Sequence, residues 1–221
     1  MKDQLVLASG SPRRIEYFQK HGYDPLVRPS KKEEKAPEGL NPAELVQYLA
    51  LSKALDIERI LREEGGRQIS DPAAAPGGAQ FAPGAARTFL VGADTVVCTD
   101  PSFPGGERIL GKPKDAADAV AMLKELRGRS HRVLTGVAIL EPGTGNRRVF
   151  AEETKVFFGD YTDEEILAYV ASKEPMDKAG AYAIQGGWGK HVSHFDGDYD
   201  NVIGLPWERT RRTLEDMGFR D

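Results

Sequence analysis

A turn near the start of the chain, residues 9–14, combines groups that bind phosphate. Its sequence, SGSPRR, places the hydroxyls of Ser9 and Ser11 beside the guanidinium groups of Arg13 and Arg14. Its proline suits the first position of a helix, and the free N–H groups and positive dipole end of a helix start attract anions. Ordinary capped helices share such short strings, so the turn alone predicts an anion site and nothing more specific.

Asp94 lies where a charge is costly. The surrounding run at 90–97 reads LVGADTVV, which is mostly apolar and rich in β-branched residues. A buried carboxylate lowers stability unless it is paired, hydrogen-bonded or bound to a cation. We therefore expect Asp94 to line a cleft as a catalytic or metal-binding group. A carboxylate that binds nearby backbone groups within the strand is the alternative.

Four further polar residues carry weaker signals. Lys53 falls in the apolar stripe of a predicted helix, where snorkelling of its long side chain is the alternative to a functional role. Lys112 follows a short predicted strand and a glycine that leaves room for a ligand. Glu34, in a mixed charge run, gains a role only as the partner of a metal or of Lys53. Gln185 ends an apolar segment, and its amide can donate to and accept from a base edge; a tightly packed turn is the alternative.

The elements that must position these residues alternate along the chain. An apolar strand at 5–8 leads into the SGSPRR turn, and helices follow at 12–22 and 42–63. The run at 89–97 predicts a buried central strand that pairs with 108–111. The remaining predictions are helices at 115–128, 162–172 and 206–217, a hairpin of strands at 131–140 and 148–158, and short strands at 181–184, 191–195 and 201–203. This order predicts an α/β fold with a mixed twisted sheet flanked by helices.

Residues 65–88 differ in composition from the rest of the chain. They begin with two glycines and continue as a stretch rich in proline, glycine and alanine, with few side chains to bury. We predict that they form a low-complexity surface insertion within a single domain that spans residues 1–221.

Composition and charge argue against several classes of protein. With 221 residues, of which 40% are hydrophobic, the chain can bury one sizeable core. A net charge of −4 and a pI near 5.7 argue against binding of a DNA or RNA duplex through a broad basic face. Cys98 is the single cysteine, so no intramolecular disulfide forms and the cytoplasm is the expected location. We expect no membrane association, because no run approaches the ~18 apolar residues of a span.

Seven segments together resemble the Maf family of nucleoside triphosphate pyrophosphatases over nearly the whole chain. The matching strings are LASGSPRR at 7–14, LALSKA at 49–54, GADTVV at 92–97, ILGKP at 109–113, HRVLTG at 131–136, DKAGAYAIQG at 177–186 and NVIGLP at 201–206. The resemblance implies two lobes around a central cleft, homodimers, and cleavage of a nucleoside triphosphate between its α and β phosphates. The string at 177–186 resembles the branch that acts on dTTP and UTP. A pyrophosphatase for 7-methyl-GTP or another modified nucleotide, and a non-catalytic nucleotide-binding regulator, are the alternatives.

The resemblance also implies roles for individual residues. Asp94 is the implied proton acceptor, and the residues implied in substrate choice are Arg13, Thr95 and Gln185. The phosphate-binding positions are matched by Ser9, Ser11, Arg14, Lys53 and Lys112. A divalent cation, Mg²⁺ or Mn²⁺, is the expected cofactor, with Glu34 and Asp94 as its ligands.

Overall fold

The structure of the chain is a computed structural model that describes residues 2–32, 35–70 and 87–220, with the backbone alone at 65–70. Within these ranges the strands are β1 (Gln4–Leu7), β2 (Leu26–Val27), β3 (Thr88–Thr99), β4 (Ile109–Leu110), β5 (Ser130–Leu140), β6 (Arg147–Phe158) and β7 (Val192–Asp196). The helices are α1 (Pro12–Lys20), α2 (Pro42–Ser70), α3 (Ala116–Leu126), α4 (Asp163–Ala171), α5 (Tyr199–Ile203) and α6 (Trp207–Asp216). Short 3₁₀ turns lie at Glu174–Asp177, Ala179–Ala181 and Gly189–His191. The predicted α/β class is confirmed.

The strands form one mixed sheet in the order β2-β1-β3-β5-β6-β7, with β4 beside β3. β1 runs parallel to β2 and β3, and the other pairs are antiparallel. The predicted hairpin is confirmed as β5 and β6, which pair along their whole length. A sheet that contains both pair types explains why the hairpin lies between helical segments in the sequence.

β3 lacks a strand partner along part of one edge. That edge pairs with β1 through residues 88–91 and with β4 through residues 97–98, while the opposite edge pairs with β5. Among the described residues, no strand covers residues 92–96 on the first edge. Asp94 lies in the middle of this gap, so the sheet itself leaves space beside it.

Helix α2 lies close against one face of the sheet. Its predicted apolar stripe is buried at Val46, Leu49, Ala50, Ala54, Ile57 and Leu61. The helix backbone approaches the sheet at two glycines: a Cβ on Gly92 would overlap the carbonyl oxygen of Ala50, and one on Gly136 would overlap that of Val46. Glycine at both positions permits a contact that any side chain would prevent.

The other face of the sheet carries two apolar clusters. One packs α1 and α6 against β1 and the first half of β3, with Phe18 and Trp207 among its members. The second packs α3 and α4 against the far ends of β3, β5 and β6, with Leu123 and Ile166 among its members. Ile184 packs against both clusters. These two clusters form the two lobes that the resemblance implies.

Helix α2 is longer than predicted. It ends at Ser70 instead of 63, so the first residues of the predicted insertion at 65–88 continue the helix. Residues 71–86 of that insertion lie outside the described residues, and β3 already begins at Thr88. None of the helices within the described ranges combines the length and apolar character that a membrane crossing requires.

The predicted strand at 201–203 is wrong, because these residues form helix α5. Asp198 caps the start of this helix by accepting a hydrogen bond from the backbone N–H of Asp200 at 2.8 Å. Gly204 ends it with a left-handed φ of 112°. The apolar run was too short to distinguish a strand from one buried helical turn.

The predicted strand at 181–184 is also wrong. Gly180 and Ala181 adopt positive φ angles of 68° and 59°, which a strand does not allow. The chain therefore forms a 3₁₀ turn and then a second turn over residues 184–188. The third short strand, predicted at 191–195, is confirmed as β7.

Asp100 stabilises the loop that joins β3 to β4 through hydrogen bonds and an ion pair. Its carboxylate accepts hydrogen bonds from the backbone N–H of Ser102 at 3.0 Å and from the Ser102 hydroxyl at 2.7 Å. Lys155 of β6 forms an ion pair with it at 2.8 Å. The hydrogen bond from Lys155, followed by those from Ser102, holds the pKa of Asp100 well below its ordinary value.

We expect Asp100→Asn to lower the free energy of unfolding at pH 7 by about 1–3 kcal/mol, because the charge-assisted contacts are lost. Since the native pKa is depressed, this contribution is complete above the ordinary carboxyl pKa of about 3.9 and declines as the pH falls below it. Urea unfolding at pH 7 and at about pH 3 measures both effects. Asp216→Asn, at an exposed position of α6, is the control. A stability difference that does not change with pH would contradict the assignment.

Candidate active site

A cleft opens beside the unpartnered stretch of β3. Its volume is about 730 Å³, in the range of small-molecule sites in proteins. Its walls come from the SGSPRR turn, α2, β3, the segment after β4, residues 177–184 and the end of α5. Eight of the predicted site residues line it: Ser9, Ser11, Arg13, Arg14, Lys53, Asp94, Thr95 and Lys112. The fold thus gathers these residues from distant parts of the sequence.

Asp94 and Lys53 form an ion pair in this cleft. Nζ of Lys53 lies 2.6 Å from Oδ1 of Asp94, and the exposed fractions of the two side chains are 17% and 11%. Lys53 therefore points at Asp94 instead of snorkelling to the surface. An ammonium group at this distance favours the ionised carboxylate, which is the form that a general base or a metal ligand requires.

The SGSPRR turn has the predicted form. Ser11 is the N-cap of α1 and Pro12 is its first residue, yet the Ser11 side chain makes no capping hydrogen bond. Oγ of Ser9 accepts from the backbone N–H of Ser11 at 3.3 Å and from Nη1 of Arg14 at 3.0 Å. In both contacts the Ser9 oxygen is the acceptor. The proton of the Ser9 hydroxyl therefore remains available for donation to a phosphate oxygen in the cleft.

Arg14 is buried and binds mainly to the protein itself. Its Nε donates to the carbonyl oxygen of Gly204 at 2.8 Å, and its Nη1 donates to that of Ala93 at 3.0 Å as well as to Ser9. Its Nη2 donates to Oγ1 of Thr95 at 2.9 Å. Arg14 therefore joins the turn, the open edge of β3 and the end of α5. Arg13, by contrast, lines the cleft from a half-buried position and carries the more accessible guanidinium group of the two.

The hydrogen bonds of Thr95 fix the direction of its hydroxyl. Oγ1 of Thr135 lies 2.9 Å from Oγ1 of Thr95, and the Thr135 hydroxyl donates its proton to the carbonyl oxygen of Asn201 at 2.9 Å. The Thr95 hydroxyl must then donate to Thr135, because a hydroxyl has a single proton. Toward a ligand in the cleft, Thr95 can consequently act only as an acceptor.

The sequence reasoning missed the buried polar groups behind Thr95. The amide of Asn201 donates to the carbonyl oxygen of Val133 at 2.9 Å and to Oγ1 of Thr154 at 3.0 Å. Thr135, Thr154 and Asn201 are all fully buried. They join α5 to β5 and β6, so the last turn of α5 is held at the cleft. Polar residues inside the HRVLTG and NVIGLP strings were the signal that could have revealed them.

Two residues of the DKAGAYAIQG string were also missed as individual cleft residues. Asp177 and Lys178 both line the cleft and form an ion pair with each other. The same string places Tyr182 at the cleft, where its hydroxyl lies 2.7 Å from Nε2 of the buried His131. Burial lowers the pKa of His131 to about 3, so this histidine is neutral at pH 7.

Two of the predicted site residues, Lys112 and Gln185, lie at the rim of the cleft. Lys112 is an exposed residue of the cleft wall. Gln185 is exposed in the turn after Ile184 and lies just outside the set of residues that line the cleft. Glu34 lies outside the described residues, so its predicted role stays a prediction.

A metal ion would find few carboxylates in this cleft. Within the described ranges, no three His, Cys, Asp or Glu side chains converge on one point. Mg²⁺ in proteins typically uses one or two carboxylates and completes its shell with substrate phosphates and water. Asp94 could serve as the one protein carboxylate of such a cation, whose remaining ligands would be phosphate oxygens and water.

Comparison with known proteins gives a consistent result. A family model described as Maf-like protein matches residues 4–217. A relative from Acetivibrio thermocellus is 42% identical over 216 residues, which cover 97% of this chain and 96% of the relative. A relative from Geobacillus sp. is 41% identical over 216 residues, which cover 98% of this chain and 99% of the relative. A relative from Bacillus pumilus is 39% identical over 216 residues, which cover 98% of this chain and 97% of the relative. Each of these three relatives is named dTTP/UTP pyrophosphatase.

Proposed function

The chain belongs to the family of Maf-like proteins, and from this premise we propose that it is a nucleoside triphosphate pyrophosphatase that hydrolyses dTTP and UTP. The products are the nucleoside monophosphate and pyrophosphate. The observation that carries the proposal is the ion pair of Asp94 and Lys53 in a cleft lined by cationic side chains. The names of relatives that match nearly the whole chain support the choice of substrate.

The charge of the cleft suits a triphosphate. Among the described residues, five cationic side chains line it: Arg13, Arg14, Lys53, Lys112 and Lys178. Only two carboxylates among the described lining residues oppose them, although the whole chain has a net charge of −4. A local excess of positive charge in an acidic protein raises the affinity for anionic ligands at this one place.

The reaction is an in-line attack of water on the α-phosphorus. Asp94 removes a proton from that water, or would serve as a ligand of the divalent cation. Lys53 lies beside Asp94 and offsets the charge that builds on the phosphate oxygens. The hydroxyl of Ser9 and the start of α1 bind further phosphate oxygens.

A divalent cation, Mg²⁺ or Mn²⁺, is part of this proposal. Asp94 and the phosphate oxygens of the substrate would hold it, and the family resemblance adds Glu34 as a ligand. Such an ion supplies positive charge at the phosphates and makes a bound water more acidic. We expect chelation with EDTA to remove activity and added Mg²⁺ or Mn²⁺ to restore it.

Base choice depends in this account on Arg13, Thr95 and Gln185. Thymine and uracil share an imide N–H, which cytosine lacks, and Thr95 offers only an acceptor to a ligand. Gln185 directly follows Ile184, which lines the cleft, and its amide can both donate to and accept from a base edge.

We expect Thr95→Val to reduce kcat/KM for dTTP and UTP by about tenfold, the cost of one lost hydrogen bond of ~1.4 kcal/mol. The change removes the acceptor for Arg14 and for the ligand while preserving the shape of the side chain. Steady-state kinetics with both nucleotides measures the effect. Thr95→Ser keeps the hydroxyl and should retain most of the activity. Unchanged kinetics in the valine variant would exclude a role for this hydroxyl.

The function itself is tested by pyrophosphate release from dTTP, UTP, CTP, ITP and 7-methyl-GTP, each with and without Mg²⁺. We expect dTTP and UTP to be cleaved with the highest kcat/KM and only in the presence of the cation. Preference for 7-methyl-GTP would favour the sister activity. Tight nucleotide binding without pyrophosphate release would favour a nucleotide-binding regulator.

The proposal includes a cytoplasmic location, a homodimer and no binding of nucleic acid duplexes. Cys98, the single cysteine, is buried and supports a location where thiols stay reduced. The acidic net charge of −4 supports the lack of duplex binding. Analytical ultracentrifugation at micromolar concentration tests the dimer.

A further inference from the structure

Lys178 is a largely buried lysine of the cleft that has no role in the reaction proposed above. It lines the cleft, and only 16% of its side chain is exposed. Lysine in such a position needs an anionic partner, because removal of an ammonium group from water is costly. Asp177 forms an ion pair with it, but 71% of the Asp177 side chain is exposed. The lysine is therefore held inside the cleft while its partner faces solvent.

Asp177 lies within the field of cations from two walls of the cleft. Burial acts to raise the pKa of Asp177, but the hydrogen bond and the charge of Lys178, with a further contribution from Arg13, bring it below the ordinary value. Arg13 belongs to the SGSPRR turn, whereas Lys178 belongs to the segment at 177–184. A carboxylate that is paired with one of these cations and feels the charge of the other marks a place suited to the phosphate oxygens of a substrate.

The backbone around Lys178 is fixed in place. The backbone N–H of Gly180 donates to the carbonyl oxygen of Gly111 at 3.1 Å, which joins this segment to the loop that carries Lys112. Gly180 has a φ of 68°, and a Cβ there would lie 2.9 Å from the side chain of Val97. Ala181 follows with a φ of 59°, a conformation that costs about 1–2 kcal/mol for a residue with a side chain. Strain of this kind is typical of functional segments.

We propose that Lys178 is a further phosphate-binding residue, which together with Lys112 binds the pyrophosphate part of the substrate. Asp177 neutralises Lys178 when no phosphate is bound. Phosphate oxygens of the substrate then replace the Asp177 carboxylate as the ion-pair partner of Lys178. The α-phosphorus must lie at Asp94 and Lys53, on β3 and α2. Lys112 and Lys178 come from a separate wall of the cleft. We therefore place them at the β- and γ-phosphates, which leave as pyrophosphate. This inference depends on the proposed function for the identity of the ligand.

The test compares product inhibition in Lys178→Met, Lys178→Arg and Asp177→Asn. We expect Lys178→Met to raise the inhibition constant for pyrophosphate by about tenfold or more, while that for dTMP changes by less than about twofold. Lys178→Arg should retain most of the affinity for pyrophosphate, and Asp177→Asn should increase it. Lys190→Met removes an exposed lysine outside the cleft and is the matched control.

Direct calorimetry with pyrophosphate alone separates this inference from the proposed function, since it requires no turnover. One outcome is that the wild-type protein cleaves dTTP while a normally folded Lys178→Met variant binds pyrophosphate as tightly as the wild type does. That result would overturn the role of Lys178 and leave the proposed function in place. Weaker inhibition by dTMP with unchanged inhibition by pyrophosphate would also overturn it. A wild-type protein that binds pyrophosphate through Lys178 but cleaves neither dTTP nor UTP would overturn the proposed function and leave the anion site.

Discussion

Asp94→Asn is expected to lower kcat for pyrophosphate release from dTTP by about 10²–10⁴-fold, the usual contribution of a general base, while nucleotide binding changes little. Asparagine preserves the shape of the side chain, and its oxygen can still accept the hydrogen bond that Lys53 donates at 2.6 Å. What it loses is the charge that attracts a proton or a divalent cation. The measurements are steady-state kinetics and equilibrium binding of a non-hydrolysable dTTP analogue.

Asp100→Asn is the matched control for this experiment. Asp100 is another buried aspartate at the end of β3 and is also paired with a lysine, Lys155, but it does not line the cleft. We expect it to change stability without changing kcat. Comparable kcat values for Asp94→Asn and the wild-type protein would remove Asp94 from the chemical step.

Gly92→Ala and Gly136→Ala are expected to be among the most destabilising single substitutions in the described sheet, each by about 3 kcal/mol, because the added Cβ meets helix backbone. A Cβ at Gly92 would lie 3.1 Å from the Cβ of Ala54 and would overlap the carbonyl oxygen of Ala50. A Cβ at Gly136 would lie 2.7 Å from the backbone nitrogen of Gln47. In both cases the obstacle is helix backbone, which cannot move without displacing α2 from the sheet.

Displacement of α2 should also reduce activity. Lys53 is carried by α2 and Asp94 by β3, so separation of the two elements lengthens their ion pair. Urea unfolding and kcat for dTTP measure the two effects. Gly159→Ala is the control, because its added Cβ would lie 3.7 Å from the nearest atom, the carbonyl oxygen of His191. Wild-type stability in either test variant would show that α2 does not need glycine at these contacts.

Much of the fold follows from local signals in the sequence. The apolar stripe of α2, the buried run of β3 and the β5–β6 hairpin were recognisable from their periodicity. The start of α2 also carries a local signal: Asn41 and Glu44, three residues apart, exchange hydrogen bonds as a capping box. Asp94 and Lys53 could be predicted as site residues because each places a charge in an otherwise apolar pattern.

Other parts of the site depend on tertiary contacts that leave little trace in the sequence. Arg14 looked like a phosphate ligand, whereas most of its hydrogen bonds bind the turn to β3 and α5. The left-handed angles of Gly180 and Ala181 convert a strand-like run into a turn, and no propensity predicts such an angle at an alanine. The enclosure of Lys178 in the cleft is likewise a tertiary feature that its sequence neighbours do not reveal.

The most direct test of the proposed function is hydrolysis of dTTP in water labelled with heavy oxygen, followed by mass spectrometry of both products. Attack of water on the α-phosphorus beside Asp94 predicts that dTMP carries the label and that pyrophosphate carries none. Label in the pyrophosphate, or formation of dTDP and orthophosphate, would contradict cleavage at the bond that this cleft is proposed to present.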